Sequence, residues 1–140
     1  MFSFLRDIPL KRLLGYWLIM FVLVYATSFL LFGFLLVTEN PFVYVTLQVL
    51  TPLSYLFFGW LYFRKVVVNT WSTRFFAAVV WIALTLAASA ALIRPVYGAD
   101  WTWAINTRVL SGQVLNVAAI IVAGFVASHR SRVEQPEGLI

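Results

Sequence analysis

Residues 13–37 read LLGYWLIMFVLVYATSFLLFGFLLV, a run with no charged side chain. It is the first of four uncharged runs, which are bounded by Arg12 and Glu39, Glu39 and Arg64, Arg74 and Arg94, and Arg108 and His129. A helix of about 20 apolar residues crosses a hydrocarbon core about 30 Å thick. The sequence therefore predicts an all-α integral membrane protein with four transmembrane helices.

We expect these helices over residues 13–37, 42–63, 75–93 and 109–127, arranged as two antiparallel hairpins with short loops in one domain, 1–140. Asn40 and Pro41 separate the first two helices, since proline disfavours a helical residue before it and is accepted in a first turn. Residues 1–12 mix apolar and charged side chains, which favours an interfacial segment. Residues 128–140 are expected to form a frayed polar tail.

Composition excludes several kinds of site. Hydrophobic residues make up 63% of the chain and charged residues 11%, which lies outside the soluble globular range. Cysteine is absent and His129 is the only histidine, so no thiolate metal site or multi-histidine centre is expected, and no cofactor. The net charge of +5 comes from basic residues at the ends of apolar runs. These are explained by membrane lipids as partners, and not by nucleic acid.

The distribution of basic residues predicts orientation. One side of the membrane is assigned eight basic residues and the other side only Arg94 and Arg108. The eight are Arg6, Lys11, Arg12, Arg64, Lys65, Arg74, Arg130 and Arg132. Basic residues favour cytoplasmic loops, so both termini are expected in the cytoplasm, with the protein in the inner or plasma membrane.

Polar side chains within the predicted helices form a candidate seam. They recur at helical spacing, which puts those of one helix near a common face, and they are Gln48, Thr51, Ser54, Thr85, Ser89, Gln113 and Asn116. Unpaired polar groups are costly in hydrocarbon, so they should face protein or a cavity. Two interpretations stay open: interhelical hydrogen bonds, or the wall of a solute path.

Pro52 lies within the second predicted helix. It removes the backbone bond to the carbonyl of Gln48 and bends the helix. The kink either shapes the helix without further consequence or serves as a gate beside Thr51.

Small residues predict close packing between the third and fourth helices. Alanine recurs along residues 77–91, and Gly124 with Ser128 forms a small-xxx-small step. The first two helices carry bulky phenylalanines such as Phe29 and Phe57, which suit lipid or a larger assembly.

The loop between the third and fourth helices brings together Arg94, Asp100, Asn106 and Arg108. Guanidinium groups match phosphate and carboxylate, so these residues are a candidate site for lipid headgroups. The alternative pairs Asp100 with one arginine and leaves the other extending to water.

The sequence favours a non-catalytic protein that acts through helix packing. It would work as a homo-oligomer or as a small subunit of a membrane complex, in contact with anionic lipid. The alternative is a small carrier or channel for a lipid-linked or weakly polar solute, with the polar seam as its path. His129 has no catalytic partner at a recognisable spacing, and no paired carboxylates appear.

Overall fold

The chain is all-helical in a computed structural model that describes residues 8–66 and 70–134. Four helices in these ranges are long and apolar enough to cross a membrane. The predicted interfacial segment lies largely outside the described residues, as does the end of the predicted tail. The four helices are α1 (Leu10–Thr38), α2 (Pro41–Phe63), α3 (Trp71–Tyr97) and α4 (Thr107–Glu134), with a 3-10 turn at Trp101–Ala104.

The connection between α1 and α2 is built as its residue types predict. Glu39 adopts a left-handed conformation with φ of 50°, and its N–H donates to the Leu35 carbonyl at 2.8 Å. The Asn40 side chain then accepts from the Phe42 N–H at 2.9 Å, and Pro41 occupies the first helical position. This combination ends one helix and starts the next within two residues.

Helices α3 and α4 extend beyond the predicted boundaries. Thr70 and Thr73 bond reciprocally at the start of α3, which moves its beginning to Trp71. The helix passes through Pro95 and ends at Gly98, whose φ of 66° suits glycine. Helix α4 continues to Glu134, so the predicted polar tail from residue 128 is helical as far as Glu134. Charged residues mark the edge of the hydrocarbon zone, but they do not end a helix.

The bundle places α2 between α1 and α4, while α3 packs on α4 and more sparsely on α1. The most extensive contact joins α2 to α4, which the sequence did not predict. Gly59 allows it, because a Cβ at this position would lie 3.0 Å from the Ala123 Cβ and 3.8 Å from the Ile120 Cα. Helices α3 and α4 also meet, with the Arg74 side chain against Gly124.

The densest packing lies at one end of the bundle. Trp81 is fully buried there, with the rings of Tyr55 and Tyr62 at 6.4 and 5.9 Å, and Leu13 is equally buried. The opposite end is covered by exposed apolar side chains, including Val37 (84% exposed). An exposed apolar surface of this extent suits hydrocarbon rather than water.

Candidate functional site

A cavity of about 220 Å³ lies within the bundle and takes side chains from all four helices. Its lining includes the apolar Met20, Phe21 and Val24 of α1. The remaining lining residues carry neutral polar groups: Tyr25, Ser28, Thr51, Tyr55, Thr85, Ser89 and Gln113. No lining residue carries a formal charge, so the cavity offers polar groups without charge.

The Thr85 hydroxyl closes one side of the cavity. Its Oγ1 donates to the Trp81 carbonyl at 2.8 Å and accepts from the Trp17 Nε1–H at 3.0 Å. The Tyr55 hydroxyl lies 2.6 Å away and must donate, because the Thr85 proton is already used. A hydroxyl offers one donor and two acceptor positions, and Thr85 uses all three. Thr85 therefore joins α1, α2 and α3.

A second bond reinforces this side. The Trp81 Nε1–H donates to the Leu13 carbonyl at 3.0 Å, in a fully buried contact between α3 and α1. The Trp81–Leu13 bond and the bonds of Thr85 satisfy ring N–H and hydroxyl groups that would be costly to leave unpaired in the membrane interior. The network fixes the cavity boundary in place.

The remaining hydroxyls of the cavity wall differ from Thr85 in their hydrogen bonding. In residues 8–66 and 70–134, the hydroxyls of Ser28, Thr51 and Ser89 make no hydrogen bond to protein. By contrast, Ser54 and Thr46 donate to carbonyls of their own helix, at 2.7 and 2.8 Å. Such back-bonding is the usual arrangement for serine and threonine in a helix. The three wall hydroxyls are thus available to a molecule within the cavity.

Gln113 supplies an amide to the same wall. Its Oε1 accepts from the Asn116 Nδ2 at 2.8 Å, and Asn116 is only 5% exposed. This bond holds the Gln113 side chain and fixes which end of its amide is engaged. The Gln113 NH₂ group remains as a donor for the cavity.

The structure brings together part of the predicted seam. Thr51, Thr85, Ser89 and Gln113 line the cavity, and Asn116 supports Gln113. Ser54 bonds its own helix, and Gln48 is exposed, so neither joins the group. Pro52 is half-buried inside α2, directly after Thr51.

Sequence reasoning missed the contribution of α1. Tyr25 and Ser28 are three residues apart, the same spacing that identified the polar face on α4. The indole of Trp17, also on α1, bonds Thr85. The available signal was the set of polar side chains in an otherwise apolar helix.

Arg74 also differs from its predicted role. It was counted among the basic residues of one membrane side, which were expected to contact lipid, but it is only 5% exposed between α3 and α4. Its guanidinium carbon lies 5.4 Å from the Trp71 ring centroid and 5.9 Å from that of Phe125, within cation–π range. Its aliphatic stem crosses Gly124.

The predicted headgroup residues lie around the 3-10 turn. Arg94, Asp100, Asn106 and Arg108 are all exposed. Asn106 caps α4, since its Oδ1 accepts from the Val109 N–H at 2.9 Å. Asp100 immediately precedes the 3-10 turn and makes no side-chain capping bond there. Headgroup binding by these residues stays a prediction.

The chemistry available in the cavity is hydrogen bonding by neutral groups. Across the described ranges 8–66 and 70–134, no three His, Cys, Asp or Glu residues cluster as metal ligands. Comparison with family models, with curated proteins and with solved structures gives no match to this chain.

Proposed function

We propose that this multi-pass membrane protein is a small carrier or channel that binds a weakly polar, uncharged solute in the cavity. The observation that carries the proposal is a group of three wall hydroxyls, on Ser28, Thr51 and Ser89, that have no protein partner within the described part of the chain. A purely structural seam would pair its polar groups with one another, because unpaired groups are costly at this depth. The protein is proposed to act without catalysis.

The cavity chemistry defines the solute class. Hydroxyls and the Gln113 amide donate to and accept from neutral groups such as hydroxyl, amide or carbonyl. An ion would meet no opposite charge among the lining residues, and a buried unpaired charge is strongly disfavoured. The polar portion of a lipid-linked molecule or a small polyol fits this requirement.

The proposed topology has two antiparallel hairpins, with both termini on the cytoplasmic side of the inner or plasma membrane. Contacts between helix ends support it: the Arg12 guanidinium donates to the Lys65 carbonyl at 3.4 Å, and Arg74 lies against Phe125. Basic ends of α1, α2 and α3 thus share one end of the bundle. Such clustering agrees with a cytoplasmic location for that end.

Water accessibility tests the cavity. Because the chain has no cysteine, single-cysteine variants require no background substitutions. In liposomes, Thr51→Cys and Ser89→Cys should react with a membrane-impermeant thiol reagent, whereas the lipid-facing control Val114→Cys (70% exposed) should not. Equal protection of all three positions would contradict a solute path.

Flux tests the function directly. Glycerol serves as a neutral probe, followed by light scattering of proteoliposomes after an osmotic step. The double variant Gln113→Leu, Asn116→Leu should abolish protein-dependent flux while the protein still folds. Val114→Leu on the same helix is the matched control. Unchanged flux in the double variant would make the Gln113–Asn116 pair structural.

Association remains a second candidate function. It is favoured by the exposed bulky residues along α1, including Phe29 (52%), Leu30 (72%) and Leu36 (67%). In that role the protein would be a homo-oligomer or a small subunit of a membrane complex. Copurification of a stable partner at native expression would support it. A partner-free monomer that moves solute in liposomes would count against it.

A further inference from the structure

An apolar groove lies on the outer side of α2 and α4, apart from the polar cavity. Its volume is about 620 Å³, within the range of ligand pockets. Leu53 and Phe57 line it on α2, and Val122 and Val126 on α4. Each of these four side chains is about half exposed, so the groove opens to the surroundings of the bundle.

One end of the groove is basic. Trp60 lines the groove at the last turn of α2, and the Arg64 guanidinium carbon lies 5.0 Å from its ring centroid. Arg64 is the C-cap residue of α2, and both it and Lys65 are exposed. Stacking on Trp60 orients the planar guanidinium and leaves its edge to bind an anion. Tryptophan and arginine in this order are typical of the membrane interface.

The spacing matches an amphipathic ligand. Leu53 to Trp60 covers about 10 Å along the helix, so the groove runs from the apolar interior toward the basic interface. We propose that an anionic phospholipid binds here, with an acyl chain in the groove and its phosphate on Arg64. The guanidinium binds the phosphate that both kinds of phospholipid carry, and selectivity comes from net charge, because a zwitterionic headgroup would bring its choline cation near Arg64 and Lys65. The apolar groove supplies contact area.

Charge complementarity favours a lipid over a second copy of the chain. An apolar helix in the groove would leave the Arg64 guanidinium without an anionic partner. An anionic lipid satisfies the groove and the guanidinium together. The site lies at the α2 C-terminus, away from the Arg94 and Arg108 loop, and does not depend on solute transport.

The test is native mass spectrometry of the protein released from nanodiscs of equal phosphatidylglycerol and phosphatidylcholine. The wild-type protein should retain phosphatidylglycerol in preference to phosphatidylcholine. Arg64→Gln should reduce this preference about tenfold, the equivalent of one charge-assisted hydrogen bond. Val122→Phe, which fills the groove, should reduce retention of the lipid itself. Lys11→Gln, at an exposed basic residue that does not line the groove, and Val114→Phe are the matched controls and should behave as wild type.

The outcomes separate the alternatives. Equal retention of the two lipids by wild type would show ordinary lipid contact and overturn the proposal. The same loss in Lys11→Gln as in Arg64→Gln would also overturn it, since any exposed basic residue would then suffice. A lipid-free dimer that Val122→Phe dissociates would assign the groove to a second copy instead. Thermal unfolding of each variant in detergent checks that a loss of lipid does not follow from misfolding.

Discussion

The hydroxyl oxygens of Tyr55 and Thr85 lie 2.6 Å apart and join α2 to α3 at the boundary of the cavity. Thr85 also accepts from Trp17, so one side chain satisfies two buried donors from two other helices. Bonds of this kind specify how membrane helices pack, because apolar contacts alone discriminate poorly between helix arrangements in lipid.

Replacement of this hydroxyl should destabilise the bundle. Thr85→Val keeps the shape but leaves the Tyr55 O–H and the Trp17 N–H unpaired, at a cost of about 1 to 3 kcal/mol. Equilibrium unfolding in mixed micelles measures the change. The double variant Thr85→Val, Tyr55→Phe should lose less stability than the sum of the losses of the two single variants, because Tyr55→Phe removes one of the unpaired donors. Strict additivity would show that the bond contributes nothing.

Gly59 should tolerate a side chain poorly. A Cβ there would lie 3.0 Å from the Ala123 Cβ, so Gly59→Ala requires α2 and α4 to shift apart by a few tenths of an ångström. We expect a loss of about 1 to 3 kcal/mol, as for other overpacked sites. Gly33→Ala is the matched control, because nothing lies within 4 Å of its added Cβ, and it should be neutral or stabilising. Equal effects at the two positions would contradict the close approach.

An alanine should also be poorly tolerated at Gly124, here because of the Arg74 side chain. An added Cβ would lie 2.8 Å from Arg74 Cγ and 2.9 Å from Cδ, so Gly124→Ala must displace the arginine stem. We expect destabilisation of about 1 kcal/mol or more. The double variant Arg74→Ala, Gly124→Ala should show no further cost from the glycine substitution. Gly112→Ala, with open space around it, is the control.

These glycines show where sequence reasoning succeeds and where it fails. The uncharged runs predict four spans because charge is costly in hydrocarbon, and residues 8–66 and 70–134 contain four such helices. Gly59 stands among aromatic residues and gives no small-residue pattern, so the α2–α4 contact was not predicted. Helix pairing depends on which faces meet in three dimensions, and a single periodic pattern does not contain that information.

The polar seam was predicted only in part for the same reason. Helical spacing grouped Gln113 with Asn116 correctly, and they are bonded. On α2 the same spacing included Gln48, which is exposed, because spacing defines a face but not the direction in which the face points. Ser28 was missed because the interpretation of α1 was based on its bulky phenylalanines, which suit lipid or a larger assembly.

Substitution of Thr51 in the cavity wall should affect solute flux rather than stability, in contrast to substitution of Thr85. Thr51→Val removes a hydroxyl that has no hydrogen bond within the described residues, so stability should change by less than about 0.5 kcal/mol. Glycerol flux should fall, because one of the solute's partners is lost. Thr46→Val is the matched control on α2, since the Thr46 hydroxyl bonds its own helix at 2.8 Å and does not line the cavity. A loss of stability in Thr51→Val comparable to that of Thr85→Val would mean that the Thr51 hydroxyl holds the bundle together, and the proposed solute path would lose a wall residue.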